Sequence, residues 1–385
     1  MPKNGDVWDR LRSYLRLVPI AEFKDCFLSL FRGKTQEEWD LKEFHDVFVE
    51  ILAESIAESE VDESDFDSIV QEALPGAIEE AATTLLTELK RTWPKQLRYE
   101  TKQESGFRKR TYARWKGGID LLRMILLISL EVGGKFNEIT RPSAEEKRDH
   151  KFEALVNLHA RALRVSHEVL ALLQAGFPDG ALSRWRTLHE IAVIMTFLRQ
   201  CEPEVSERFL LHRRVMACKA MKQYREFQDR ANLDPISDEE FDEAVLAKEE
   251  VINRYGPEMN RDYGWAAEQL RKKNPSLFDL EVHVGLDHWR PRYRWACDDI
   301  HGSYRTIGST LGEAEAKAPF LLAGASNSAF TDPAHMMAIS LNLANAALLL
   351  EQPSIDLLAI MRILERLTNE VGEIFIDIEA RTSRQ

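Results

Sequence analysis

Four ionisable side chains fall within seven residues of the stretch ALSRWRTLHEIAVIMTFL (181–198): Arg184, Arg186, His189 and Glu190. A guanidinium can hold phosphate or a developing oxyanion, an imidazole can move a proton near neutral pH, and a carboxylate can orient either. The remaining residues are largely apolar all round a helical turn, so this helix has no solvated face for its charges. An unpaired buried charge is costly enough that each must meet a partner. At about 100° per residue, Arg186, His189 and Glu190 share one sector with Leu182, Val193 and Phe197, while Arg184 projects on the opposite side. Arg186 and Glu190 stand one helical turn apart and can pair with each other. His189 needs a partner from elsewhere.

A second constellation follows in HWRPRYRWACDDIHGSYRTIG (288–308). On a helix, Arg290, Arg294, Asp298 and His301 line one stripe, and Tyr293, Ala296 and Ile300 line another. An Arg294–Asp298 pair would position the His301 imidazole for general acid–base work, with Arg294 holding a scissile phosphate. The competing reading of both clusters is an internal ion-pair network that clamps helices together.

A third basic stretch is FRKRTYARWK (107–116), in which Arg108, Lys109, Arg110, Arg114 and Lys116 interleave with Phe107, Tyr112 and Trp115. Arginine with aromatics suits phosphate contact and base stacking, so Arg108, Arg110, Arg114 and Lys116 are expected to form an RNA or partner surface. The alternative is a helix start pairing with the ten carboxylates between Glu54 and Glu80, a span that holds no Lys or Arg.

Helical periodicity runs through the chain and sustained strand alternation is absent, which predicts an all-α multi-helix bundle. An N-terminal helical region is expected over 1–136, and the polar, proline-containing NEITRPSAEEKRDH (137–150) marks a domain boundary before a helical domain over 150–380. Within that domain, 152–174 and the helix bearing His189 form an antiparallel hairpin around AGFPDG, with Gly176 as C-cap and Asp179 as N-cap. Charged helices follow over 204–231 and 237–253, then a buried helix at 333–350 and an amphipathic one at 354–380. Asp332 is expected to cap the helix at 333, with Pro333 in its first turn.

Composition limits the function classes. A net charge of −13 gives no global attraction to nucleic acid or an anionic membrane, so a polyanion would need a local basic patch. The four cysteines (Cys26, Cys201, Cys218 and Cys297) show no paired spacing, which fits a reducing cytoplasm. The apolar runs 119–132 and 336–350 are too short to span a bilayer and read as core helices. No cofactor is implied, since Walker, dinucleotide and nucleophile-elbow motifs are lacking. A metal site from Asp298-x-x-His301, Asp332-x-x-His335 and Glu190 is the weaker enzyme alternative, because bridged di-iron bundles use paired Glu-x-x-His motifs.

AGFPDGALSRWRTLHE and, about a hundred residues on, YRWACDDIHGS resemble a family of bacterial all-α proteins of unknown function close to the HEPN superfamily of helical ribonucleases and defence toxins. The resemblance covers roughly 150–380. It implies a metal-independent endoribonuclease of antiviral defence or toxin type, RNA as substrate, and an active site shared by a homodimer. HEPN ribonucleases carry an arginine separated from a following histidine by four to six intervening residues. Arg161/His167, Arg184/His189 and Arg294/His301 all have that spacing, and only the last lies in the matching second block. The resemblance thus makes His301 the acid–base, Arg294 the phosphate ligand and Asp298 their orienting group. Arg186, His189 and Glu190 would form the adjoining wall of the site, with Arg184 and Arg290 as further ligand contacts. The non-enzyme alternative is a sensor that binds a nucleotide or a protein partner through the Arg/His/Glu cluster, with the N-terminal region meeting a partner.

Overall fold

The computed structural model describes residues 66–298, 310–316 and 321–382. The described residues are helical with no strand, as the periodicity requires. In chain order the helices are α1 (Phe66–Lys147), α2 (His150–Ala175), α3 (Pro178–Gln200), α4 (Pro203–Phe227), α5 (Asp238–Tyr255), α6 (Ala267–Leu270), α7 (Leu277–Val284), α8 (Arg290–Asp298), α9 (Thr331–Leu349) and α10 (Ile355–Thr382). His301, the acidic stretch before residue 66 and most of GSYRTIGSTLG lie outside the described residues. No described helix is long and apolar enough to cross a membrane.

Contacts divide the chain into two compact units, Met1–Phe107 and Arg108–Gln385. In the first, the described residues 66–107 are helical, with Leu86, Trp93 and Leu97 exposed. The second holds the hydrophobic core. The division falls within α1 rather than at 137–150. That polar stretch is helical to Lys147, and the chain turns over Arg148 (φ 53°) before Asp149 caps α2 through the Phe152 amide at 2.9 Å. Thr140 and Ala144 are buried and Arg141 bonds Asn137 and Glu153, so tertiary contacts hold the helix through Pro142.

Helix α3 sits at the centre of this unit, packed by α2, α9, α7 and α8. Its buried residues (Leu182, Trp185, Leu188, Ile191, Val193 and Phe197 among them) point to all sides, which explains its weak amphipathicity. The α2–α3 hairpin is antiparallel: Glu168 meets Arg184, and Lys151 reaches the Arg199 carbonyl. Gly176 is the left-handed C-cap of α2 (φ 87°). Asp179 does not cap α3, whose N-cap is Phe177; its carboxylate instead accepts the Leu311 and Gly312 amides at 2.6 and 3.1 Å. Asp332 is likewise no cap but an ion-pair partner of Arg292, and Phe330 precedes α9.

Within Arg108–Gln385, α1 comes close to its neighbours through glycine. A Cβ at Gly118 would lie 2.1 Å from the Phe375 ring, and one at Gly133 would lie 2.3 Å from His159. Trp115 is fully buried and stacks on Phe330 and Phe375 at 5.0 and 5.3 Å. His159 shares a buried network with Asn345 and Ser129, and burial holds its imidazole below the usual histidine value.

Candidate functional site

The polar groups of α3 meet α7 and α8. His189, 1% exposed, lies with Nε2 3.1 Å from Oε1 of the fully buried Glu281 on α7. The other Glu281 oxygen accepts from Arg290 Nη1 at 3.0 Å, so one carboxylate joins the imidazole to a guanidinium at the first residue of α8. Nearly one turn further, the Tyr293 hydroxyl accepts from Arg186 Nε at 2.8 Å and donates to Glu190. Arg186 Nε also lies 3.2 Å from Glu190 Oε1. Two cations flank the Tyr293 ring, with Arg186 and Arg290 at 5.2 and 5.0 Å from its centroid.

The site is graded in depth. His189 and Glu281 are sealed, while the side chains of Arg186, Glu190 and Arg290 are 27%, 27% and 32% exposed. Burial and the Glu190 carboxylate push the Tyr293 phenol well above the ordinary tyrosine value. Burial first, with Glu190 adding to it, raises nearby Tyr263 to about 12. Burial also raises the Cys297 thiol, although Arg186 and Arg290 oppose the shift. Both phenols and the thiol therefore stay protonated near neutral pH, offering hydrogen bonds rather than a nucleophile.

Chemically, the mouth offers an edge of donors. A guanidinium has five N–H groups. Arg186 uses only Nε in the bonds above, and Arg290 uses Nη1. The remaining donors of two clamped arginines suit an oxyanion such as phosphate. His189 cannot reach a substrate from its sealed position. It orients Glu281, and through it Arg290.

The other expected site residues are placed differently. Arg184 pairs with Glu168 and contacts Thr187 at 3.2 Å, on a side of α3 away from this cluster. Arg294 is exposed and has no ion pair among the described residues; Asp298 is half-buried. The stripe of α8 that enters the core is Tyr293 and Ala296, not Arg294 and Asp298. A tyrosine supplies buried area and a hydroxyl, whereas the arginine stripe would lose hydration.

In FRKRTYARWK, Arg114 binds Glu315 at 2.5 Å and the Asn327 carbonyl at 2.7 Å, and Lys116 pairs with Asp120 at 2.6 Å. With Trp115 in the core and the Tyr112 hydroxyl on Asp120, these two aromatics are engaged within the fold. The segment lies inside α1, not at a helix start. Arg108 and Arg110 are exposed. Among the described residues no cluster of His, Cys, Asp and Glu could hold a metal ion.

Sequence reasoning missed Glu281, Tyr263 and the bridging role of Tyr293. The buried histidine signalled that a partner existed, and nothing in LFDLEVHV marked Glu281 as that partner.

The fold and cluster define an all-α helical domain with a buried ion-pair network opening at one edge. A model for a family of unknown function (DUF5677) matches residues 152–318, from the third residue of α2 through α8, and so spans every residue of this cluster. No curated protein and no solved structure matches the chain.

Proposed function

We propose that the Arg186–Tyr293–Arg290 edge binds a small phosphate-bearing ligand, making this domain a nucleotide or anion sensor. The observation that carries the reading is the pair of guanidiniums flanking Tyr293, each tied to a buried or half-buried carboxylate yet with unused donors at the mouth. Clamping removes side-chain entropy before binding, so a ligand loses less on docking. The cluster's carboxylates balance its arginines. Affinity is thus expected to come from geometry rather than from a strong positive field. The test is thermal denaturation with inorganic phosphate, pyrophosphate, AMP and ATP. A ligand present at a hundred times its Kd should stabilise by about 2.7 kcal/mol. Arg186→Ala and Arg290→Ala should abolish that gain, and a gain retained in both would overturn the assignment.

The second reading is the HEPN-like endoribonuclease acting on RNA in defence or as a toxin. Arg294 favours it, being an exposed guanidinium with no ion pair among the described residues and therefore available to an external phosphate. In that reading His301 moves the proton, Asp298 orients, and a second copy completes the site. RNA cleavage lost in His301→Ala and Arg294→Ala, with the melting temperature unchanged, would carry it. RNA left intact by the wild-type protein would sink it.

A further inference from the structure

A stripe on the second compact unit's part of α1 lies outside the core. Met124, Leu127 and Leu130 are 47%, 55% and 51% exposed there. Leu127 and Leu130 border a groove of about 420 Å³ between α1 and α2, walled also by Leu126, Leu170 and Ala171, with Arg123 at its rim. Three large apolar side chains one turn apart are unusual on a solvated helix face.

We infer that this face is a self-association surface, in which α1 of a second copy packs antiparallel across the two-fold axis at Leu127. The argument is charge and size complementarity. At about 100° per residue, Lys116, Asp120, Arg123, Met124, Leu127, Leu130, Glu131, Gly134 and Glu138 share a sector roughly 120° wide. A two-fold axis at Leu127 sets Arg123 against Glu131 of the second copy, Met124 against its Leu130, and Lys116 against its Glu138. Asp120 then meets Gly134, a position where a Cβ would touch nothing within 4 Å. Every charge on the stripe meets an opposite charge or a gap, the self-complementarity an isologous interface needs. A parallel pairing would instead oppose Arg123 to Arg123 and Glu131 to Glu131.

Of the two central charges, Glu131 has no ion pair among the described residues; Arg123 is exposed, with a long 3.9 Å contact to Asp120 and its guanidinium 5.5 Å from the Tyr112 ring centroid, contacts an interfacial carboxylate would compete with. From 116 to 138 the pairing runs roughly 33 Å, long enough for a helix–helix interface. A stripe carrying both signs on a chain of net charge −13 does not suit an anionic membrane. This surface uses none of the residues of the α3–α8 cluster and stands whether or not that cluster binds phosphate.

The test is sedimentation velocity on the full chain at tens of micromolar, below which weak dimers dissociate. The wild type should be dimeric. Leu127→Arg sets two guanidiniums face to face and should yield monomer. Arg123→Glu and Glu131→Arg should each weaken association about tenfold or more, and the double reversal R123E/E131R should recover most of it. These side chains are exposed, so the circular dichroism spectrum should not change, and the melting temperature of the variants should match that of the wild type diluted until it is monomeric. A monomeric wild type would overturn the inference. So would a dimer indifferent to Leu127→Arg, or a double reversal no better than either single.

Discussion

Replacing Glu281 by alanine tests whether the sealed pair organises this part of the domain. The carboxylate is fully buried and serves two donors, His189 Nε2 at 3.1 Å and Arg290 Nη1 at 3.0 Å. Its loss leaves the His189 N–H without an acceptor in a site water does not reach, a cost of about 1–3 kcal/mol. Arg290 is one-third exposed and can rehydrate, so its share is below about 1 kcal/mol. The vacated volume adds about 1 kcal/mol. The sum, roughly 2–5 kcal/mol, overlaps the usual penalty of about 3–5 kcal/mol for breaking a buried pair from one side. At about 2–4 °C per kcal/mol the melting temperature should fall on the order of 10 °C. Glu168→Ala is the control: it removes the partner of Arg184 from a pair 34% and 40% exposed and should cost less than about 1 kcal/mol. The assay is thermal and urea denaturation followed by circular dichroism. A loss in Glu281→Ala no larger than in Glu168→Ala would refute the reasoning.

Three further outcomes follow from the packing and titration. Gly118→Ala should destabilise by about 1–3 kcal/mol because its Cβ would meet Phe375 at 2.1 Å, whereas Gly117→Ala, whose Cβ meets Ile374 at 3.4 Å, should gain up to about 1 kcal/mol of helix propensity; urea midpoints distinguish them. Trp115→Ala should cost about 3–5 kcal/mol, since the indole is fully buried between Phe330 and Phe375, and this too is read from urea unfolding. Burial lowers the imidazole pKa of His159, His212 and His335, so the unfolded chain binds protons more readily than the folded one below about pH 6.5. Stability should therefore fall as pH drops through and below that value, by up to about 1.4 kcal/mol per pH unit for each histidine, and His159→Gln should flatten the slope. Urea midpoints that stay constant from neutral pH to pH 5 would contradict this.

Much of the architecture was legible in the chain because its helices are strongly periodic. The ends of α2, α3, α9 and α10 fall within a few residues of their expected positions, and Gly176 ends α2 as its place in AGFPDG suggests. The charges in α3 correctly implied partners on another element, since an apolar helix has nowhere else to put them. The identity of those partners depends on tertiary structure: Glu281 lies 92 residues from His189 in a short helix of ordinary composition. On α8 the stripe that enters the core is Tyr293 and Ala296, whose partners on α3 the spacing alone did not reveal, while Arg294 stays exposed. In FRKRTYARWK the arginines obscured Trp115, which continues at helical spacing the core run already legible from Ile119 and Leu122 and is fully buried with them. The polar composition of 137–147 suggested a break, yet Arg141 and two buried side chains keep that stretch helical.

The central claim is that two clamped arginines beside Tyr293 present unused donors to a phosphate. Calorimetric titration of pyrophosphate and ATP into the wild type, Arg186→Ala, Arg290→Ala and Arg184→Ala addresses it directly. The account predicts saturable binding to the wild type and to Arg184→Ala, and none to the other two at matched folding. No binding to the wild type at millimolar ligand, or equal binding to all four proteins, would contradict it.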